Sequence, residues 1–201
     1  MSQLKLTADS GGGTVAIKGP ASTTGNAALE LTVPSAVSDT LDSLKRAGNI
    51  LQVVSTTKTD HFTSTSASQT EITGLNVSIT PSSSSNKILL LVNINFGSAA
   101  NGYIGFNLKR DSTLIATSTA VSGDDRLQGT MGGFLDSTNR IESAGFNFLD
   151  SPSTTSAITY KTFVSSLYAS VAVHINRTND TGNSTYNQGV ASTITVMEVA
   201  A

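Results

Sequence analysis

The chain has 201 residues, and its 12 basic and 14 acidic residues give a formal net charge of −2; charged residues make up 13%, against roughly 25% in an ordinary globular protein. That balance supplies no cationic field for a phosphate backbone, and no apolar run is long enough for a membrane-spanning helix. With no Cys, a disulfide framework, a thiolate zinc site and a Cys nucleophile are excluded.

Residues 1–34 read as short strands. Leu4, Leu6 and Ala8 alternate with Lys5 and Thr7, Gly11-Gly12-Gly13 follows, and Val15 and Ile17 then alternate with Ala16 and Lys18. Alternation, a glycine turn and renewed alternation predict a hairpin. A third run, Ala27 to Val33, ends at Pro34. Three short strands are too small a sheet to be stable alone, so this segment is expected to attach to a partner surface. The opening MSQLKLTADSGGG has no apolar stretch and predicts no secretory leader.

The period changes over 35–48. Val37, Leu41 and Leu44 share one helical face, Ser35 is placed to cap the N-terminus, and Gly48 to end the helix. Asp39 and Asp42 suit its early turns, Lys45 and Arg46 its last. The reading is a short helix, either lying on a sheet or forming a neck between parts of an oligomer.

From Asn49 the chain reads as β. The predicted strands begin at Ile50–Val54 and Glu71–Thr80, the latter with a bulge at Gly74. A loop, Pro81-Ser-Ser-Ser-Ser-Asn86, precedes Lys87–Phe96, whose continuous Ile88 to Val92 run predicts a central strand buried on both faces at that end. Shorter runs follow at Tyr103–Leu108, Thr113–Thr117, Gly129–Leu135, Gly145–Leu149, Ile158–Val164, Val171–Ile175 and Val190–Val199. About eight to ten short strands at this spacing predict a mainly β, jelly-roll-like antiparallel sandwich head over 49–201.

Ser and Thr reach roughly 28% of residues, far above ordinary usage. Thr suits a pleated surface, but the chain is short of the charges that guard exposed sheet edges. The apolar C-terminus, Ser192 to Ala201, is expected to be a central strand, in the subunit or at an oligomer axis. Val37, Leu41, Leu44, Ile194, Val196 and Met197 are therefore the candidate oligomer-interface residues.

The segments LKLTADSGGGTVAIKGPASTTGNAALELTVPS, GNILQVVSTTKTDHFTS, EITGLNVSITPSSSSNKILLLVNINF, GYIGFNLKRDSTLIA and STITVMEVA resemble those of virion structural proteins of tailed phages, marine ones in particular, of the tail-fibre or minor structural type. The β domain also resembles the trimeric jelly rolls of the C1q and tumour-necrosis-factor type, in which the last strand packs near a three-fold axis. The resemblance implies a homotrimer attached through its N-terminus to other virion proteins, located in the virion and assembled in the host cytoplasm. It carries no catalytic motif.

Candidate chemistry is sparse. Asp124-Asp125 lies in a Gly-containing turn, and Glu142 and Asp150 flank Phe146 and Phe148; two carboxylates hydrolyse a glycoside only at the right separation. His61 and His174 are the two histidines, and only symmetry copies would bring one of them together with its like as metal ligands. The polar stretch Asn176 to Gln188 carries Asn179, Asn183 and Tyr186, groups that hydrogen-bond and stack on sugars. Asp124, Asp125, Asn179, Asn183 and Tyr186 are thus the candidate ligand-binding loop residues, with a host-surface glycan as candidate partner. No cofactor, metal, nucleic acid or membrane insertion is expected, and no enzymatic activity. The alternatives are a capsid decoration or head-fibre protein, a carbohydrate-binding module and a depolymerase.

Overall fold

Residue alternation sets the strands, and cross-strand register then decides which side of each faces inward. The computed structural model describes residues 3–7, 14–18, 47–99, 101–119, 128–167 and 171–201. Met1–Leu41 and Asp42–Ala201 form separate units. In the first, β1 (Gln3–Thr7) pairs antiparallel with β2 (Thr14–Lys18), Leu4 opposite Ile17 and Leu6 opposite Val15, as the alternation predicts. The predicted strand Ala27–Val33 and positions 35–46 of the predicted helix, with Val37, Leu41 and Leu44, lie outside the described residues; none of the described residues is helical.

The second unit contains β3 (Ile50–Lys58), β4 (Phe62–Ser64), β5 (Thr70–Ile79), β6 (Lys87–Ser98), β7 (Gly102–Arg110), β8 (Thr113–Ile115), β9 (Met131–Leu135), β10 (Glu142–Asp150), β11 (Ile158–Ser166), β12 (Val173–Ile175) and β13 (Ser192–Val199). Three pairs of these are single strand lines with an interruption. β3 and β4 run successively along β13 and β12. β12 and β13 run successively along one edge of β6. β8 and β9 do the same along β7. The first sheet is then β3/β4, β12/β13, β6, β10, and the second is β5, β11, β7, β8/β9. Numbered as lines in chain order, these are 1-8-3-6 and 2-7-4-5, which is a jelly roll. All pairings are antiparallel, and β13 lies between β3 and β6, so the closing strand is central within the subunit.

The core lies between the sheets. Ile88, Leu90, Val92, Ile94 and Phe96 of β6 meet Ile104, Phe106 and Leu108 of β7, with Phe96 and Phe106 edge-on at 5.1 Å between ring centroids. The predicted bulge occurs: β11 advances two residues while β5 advances five across Ile72–Leu75, Gly74 takes φ +82°, and the Thr162 hydroxyl donates to the Leu75 carbonyl at 2.9 Å. The continuous apolar run behaves differently from expectation. Leu89 and Leu91 point out of the sandwich and are only half-buried. Burial on both faces comes at the other end of β6, Phe96–Ser98, where Arg177 and Thr178 lie on Gly97; a Cβ there would overlap the Arg177 carbonyl oxygen.

Two polar clusters fasten the layers. Asp150 of β10 accepts Arg110 Nη1 of β7 at 2.8 and 2.7 Å and the Tyr160 hydroxyl of β11 at 2.7 Å, joining the two sheets. Burial, reinforced by that carboxylate, pushes the Tyr160 phenol far above its ordinary pKa. At the other cluster, Glu198 points inward from β13 and is 1% exposed. Its carboxylate accepts Asn86 Nδ2 (2.6 Å), Gln52 Nε2 (2.6 Å), and the Ser82 amide and hydroxyl (2.7 and 2.8 Å). Asn86 Oδ1 accepts the Ala201 amide, and the Gly48 amide donates to the Ala200 carbonyl. The 81–86 loop, the C-terminus and the entry to the head are thus one hydrogen-bonded unit.

Burial pushes the Glu198 carboxyl up, but the donors of Asn86, Gln52 and Ser82 outweigh it and hold its pKa below the ordinary 4.5. A depressed folded-state pKa gives stability that is complete above the unfolded value and lost as pH falls through the folded one. Glu198→Gln sets an amide N–H₂ against these donors and is expected to cost about 3 kcal/mol at pH 7. Urea titrations of both proteins at pH 7 and pH 3 should show the difference shrinking at the lower pH.

Candidate functional site

The first sheet turns one face away from the second sheet, and among the described residues of its unit no further strand packs on it. Register aligns Val53 of β3 with Met197 of β13, Met197 with Leu89 of β6, and Leu89 with Leu149 of β10. These four side chains form a row across the full width of the sheet. Ile50 and Val199, paired with each other, and Leu91 extend it. Val53 is 57% exposed, and Ile50 and Leu149 are each 47% exposed. Thr195, Ser55 and Asn147 continue the same face, all uncharged. Among the described outward positions of these strands the charge is Lys87, beside Val199. Contiguous exposed apolar surface of this kind marks an interaction site.

Strand alternation distributes the three C-terminal residues expected at an interface. Ile194 and Val196 are fully buried in the subunit's own core, because they share the inward parity of Glu198. They are therefore closed to a partner, and this corrects the expectation. Met197 has the opposite parity and stands in the apolar row. Val53, Leu89, Leu91 and Leu149 were not singled out by sequence reading; their outward parity was in the strand pattern, but their alignment depends on cross-strand register.

The other end of this face carries the 176–191 loop. Asn176 leaves the strand line with φ +67°, a conformation Asn tolerates better than most residues. It is wholly buried; its Nδ2 donates to the Lys58 and Asp60 carbonyls, its Oδ1 accepts the Ser192 hydroxyl, and its amide donates to the Asn95 carbonyl. The loop folds back onto His174, whose Nδ1 faces Thr63 Oγ1 and whose Nε2 faces Asn179 Oδ1, both at 2.9 Å. Asn179 is thereby a structural anchor, and its amide also donates to the Thr138 carbonyl. Asn183 and Tyr186 are exposed, Tyr186 by 74%. Asn183 lines a cleft of about 400 Å³ with His61, Arg177, Asp180 and Asn187. The Oδ1 of Asn187 is buried with no hydrogen-bond partner.

The carboxylate candidates separate. Asp124 and Asp125 lie outside the described residues. Glu142 and Asp150 sit at opposite ends of β10, roughly 26 Å apart at the rise of a strand. A glycosidase pair stands within roughly 10 Å, so these two do not make one. Asp150 instead belongs to the inter-sheet clamp. Both ring nitrogens of His174 are engaged inside the subunit, which closes it to a metal shared among copies. Among the described residues no group of three His, Cys, Asp or Glu side chains is placed to hold a metal ion, and no helix is long and apolar enough to cross a membrane.

No protein-family model matches the chain, and no curated protein matches it. Among solved structures it is similar to that of infectious bursal disease virus, Gx strain (17% identity, TM-score 0.38, 98% of this chain and 46% of that one), and of the Gt strain (16%, 0.36, 86% and 42%). It is also similar to the VP2 subviral particle of infectious bursal disease virus (14%, 0.36, 86% and 42%). The chain spans less than half of each of these chains.

Burial lowers the His174 pKa below its ordinary 6.5; the hydrogen bond to Asn179 opposes this, and the Arg177 charge adds to it. Its contribution to stability is complete above the unfolded value and falls as pH drops through the folded one. Amide exchange across 176–191, corrected for intrinsic rate, should quicken as pH falls from 7.5 to 5. His174→Gln should remove most of that pH dependence.

Proposed function

We propose that this chain is a non-enzymatic virion structural subunit that self-associates through the outer face of its first sheet. The observation that carries the reading is the apolar row Val53–Met197–Leu89–Leu149, which spans four strands on a face almost free of charge. A hydrophobic row of this extent gains from being covered by another subunit, and a neutral surface buries no unpaired charge when it is covered. The resemblance of the quoted segments to tailed-phage virion proteins supplies the context. On that resemblance the assembly is a homotrimer of the tail-fibre or spike type, with 1–34 as attachment segment, 35–48 as neck and 49–201 as head, serving host-surface adhesion. Two of the segments that carry the resemblance, SITPSSSSNKILL and STITVMEVA, are joined through Glu198, Ser82 and Asn86, so they belong to one structural unit.

The full-length chain should sediment as a trimer at micromolar concentration. Leu89→Asp and Met197→Asp, both at outward and half-buried positions, should each yield folded monomers, checked by sedimentation velocity and far-UV circular dichroism. A wild-type monomer, or charged variants that stay assembled, would sink the self-association claim. Particle incorporation that survives deletion of 1–34 would sink the attachment claim.

A further inference from the structure

A histidine closes the 176–191 excursion over the first sheet. Register sets Thr63 of β4, His174 of β12 and Gly97 of β6 side by side. Val173 and Ile175 belong to the core, so His174 between them points out of the sandwich, yet it is only 4% exposed. The loop covers it. Asn179 Oδ1 is a carbonyl oxygen and can only accept, so ring Nε2 carries the hydrogen and donates to it at 2.9 Å. In the neutral ring Nδ1 is then the acceptor, and the Thr63 hydroxyl donates to it at 2.9 Å. Arg177 Nη2 approaches the same Thr63 Oγ1 at 3.5 Å, while its Nη1 donates to the Thr178 and Asn179 carbonyls at 3.0 and 3.1 Å. The Asn179 amide donates to the Thr138 carbonyl at 3.0 Å.

A proton added at Nδ1 reverses one half of this latch. Nδ1 becomes a donor, the Thr63 hydroxyl must turn its own hydrogen away, and two cations, His174 and Arg177, then face one neutral oxygen. Burial and the like charge of Arg177 both disfavour the charged ring, burial more, and they hold the His174 pKa below 6.5 against the Asn179 hydrogen bond. The carboxylates on the surrounding elements each have a partner other than the ring. Asp60, ahead of β4, accepts Lys58 Nζ at 2.8 Å. Asp136 accepts Arg140 Nη1 at 2.9 Å, with Glu142 at 3.8 Å from the same guanidinium. In the loop itself, Asp180 Oδ1 accepts the Gly182 amide at 2.9 Å. His61, the other titrating group between pH 5 and 8, stands beside Gly189. From β6 come Phe96, Gly97 and Ser98, none of them charged.

The two ends of the excursion are tied by groups that do not titrate. Asn176 bonds Lys58, Asp60 and Ser192 through its side chain, its carbonyl accepts the Val190 amide at 3.0 Å, and Asn95 Nδ2 donates to the Ala191 carbonyl. Acid therefore loosens the span and spares its base. We propose that residues 177–189 are a proton-operated cover, which lifts from the Thr63–His174–Gly97 strip when His174 is protonated at Nδ1, while the base at Asn176, Val190 and Ala191 stays closed. In the closed state the Arg177 carbonyl and Thr178 lie directly on Gly97, so lifting bares the β6 backbone there and lengthens the accessible outer face of the first sheet. Protonation of a histidine that biases a two-state segment is a recurrent form of pH switch. The device works within one subunit, so it does not rest on self-association.

The test uses the full-length chain, with nitrogen NMR of the isotope-labelled His174 ring and amide exchange corrected for intrinsic rate. At pH 7.5 the ring should be the Nε2–H tautomer. As pH falls from 7.5 to 5, exchange at 177–189 should quicken about tenfold, while the amides of β13 keep their protection. Asn179→Asp sets a carboxylate against Nε2, which favours the charged ring; in that variant His174 should titrate at a higher pH than in the wild type, and the cover should stay closed at pH 5. His61→Gln should respond as the wild type does. An Nδ1–H tautomer at pH 7.5 would overturn the proposal. So would a cover that does not open, one that opens in Asn179→Asp at the same pH as in the wild type, or a response lost in His61→Gln. Exchange of β13 that quickens in step with 177–189 would overturn it too, since acid would then be unfolding the whole head.

Discussion

One buried carboxylate holds the register of the strand on which both faces of the first sheet depend. Glu198 is fixed by four donors from Asn86, Gln52 and Ser82, and it points inward from the central strand β13. Side chains alternate, so a one-residue slip of β13 would exchange its two faces. It would carry Glu198 out of its donors and Met197 into the core. The cost of stranding four donors and moving a charge to the wrong face exceeds that of most single packing changes. With Glu198 in, Ile194 and Val196 must be core and Met197 and Val199 must be surface. The apolar row therefore follows from a polar contact at the end of the sheet.

Much of the sandwich could be read from alternation. The hairpin of residues 3–18, the Gly74 bulge, the central position of the closing strand and nearly every head strand follow from local pattern. What could not be read depends on partners far along the chain. The run Ile88–Val92 looks buried on both faces because five consecutive apolar residues carry no parity. The alignment of Val53, Met197, Leu89 and Leu149 joins residues 53 and 197 through β6, which no local window contains. The same holds for Tyr103 and Phe134: each lies two residues from a glycine on its own strand, but only the β7–β9 register puts ring beside ring and glycine beside glycine. Asn179 looked like a ligand group because it sits in a polar loop; burial of His174 beneath that loop gives its amide a structural role.

Interrupted strand lines make room for the surfaces without disturbing the core. The eighth line leaves the sheet after Ile175 and returns at Ser192; the fifth leaves after Ile115 and returns at Met131. Both departures use a non-glycine residue in the left-handed region, Asn176 at φ +67° and Ala116 at φ +55°. Such residues persist where surroundings over-determine them, and Asn176 shows how: its amide side chain bonds Lys58, Asp60 and Ser192 at once. The 176–191 excursion then covers the Gly97 end of the first sheet, where Arg177 and Thr178 lie on the strand.

The low charge of the chain gains a specific meaning from where its charges go. Asp150 and Arg110 clamp the two sheets, Glu198 anchors the terminus, and Lys161 pairs with Glu71. Charges used inside or along one sheet are not present on the outer face of the other. Thr and Ser keep such a face wet but do not repel another copy, as Lys or Glu would. A face left neutral and crossed by an apolar row is poorly protected against covering. Composition and register thus point the same way: the outer face of the first sheet is suited to being covered.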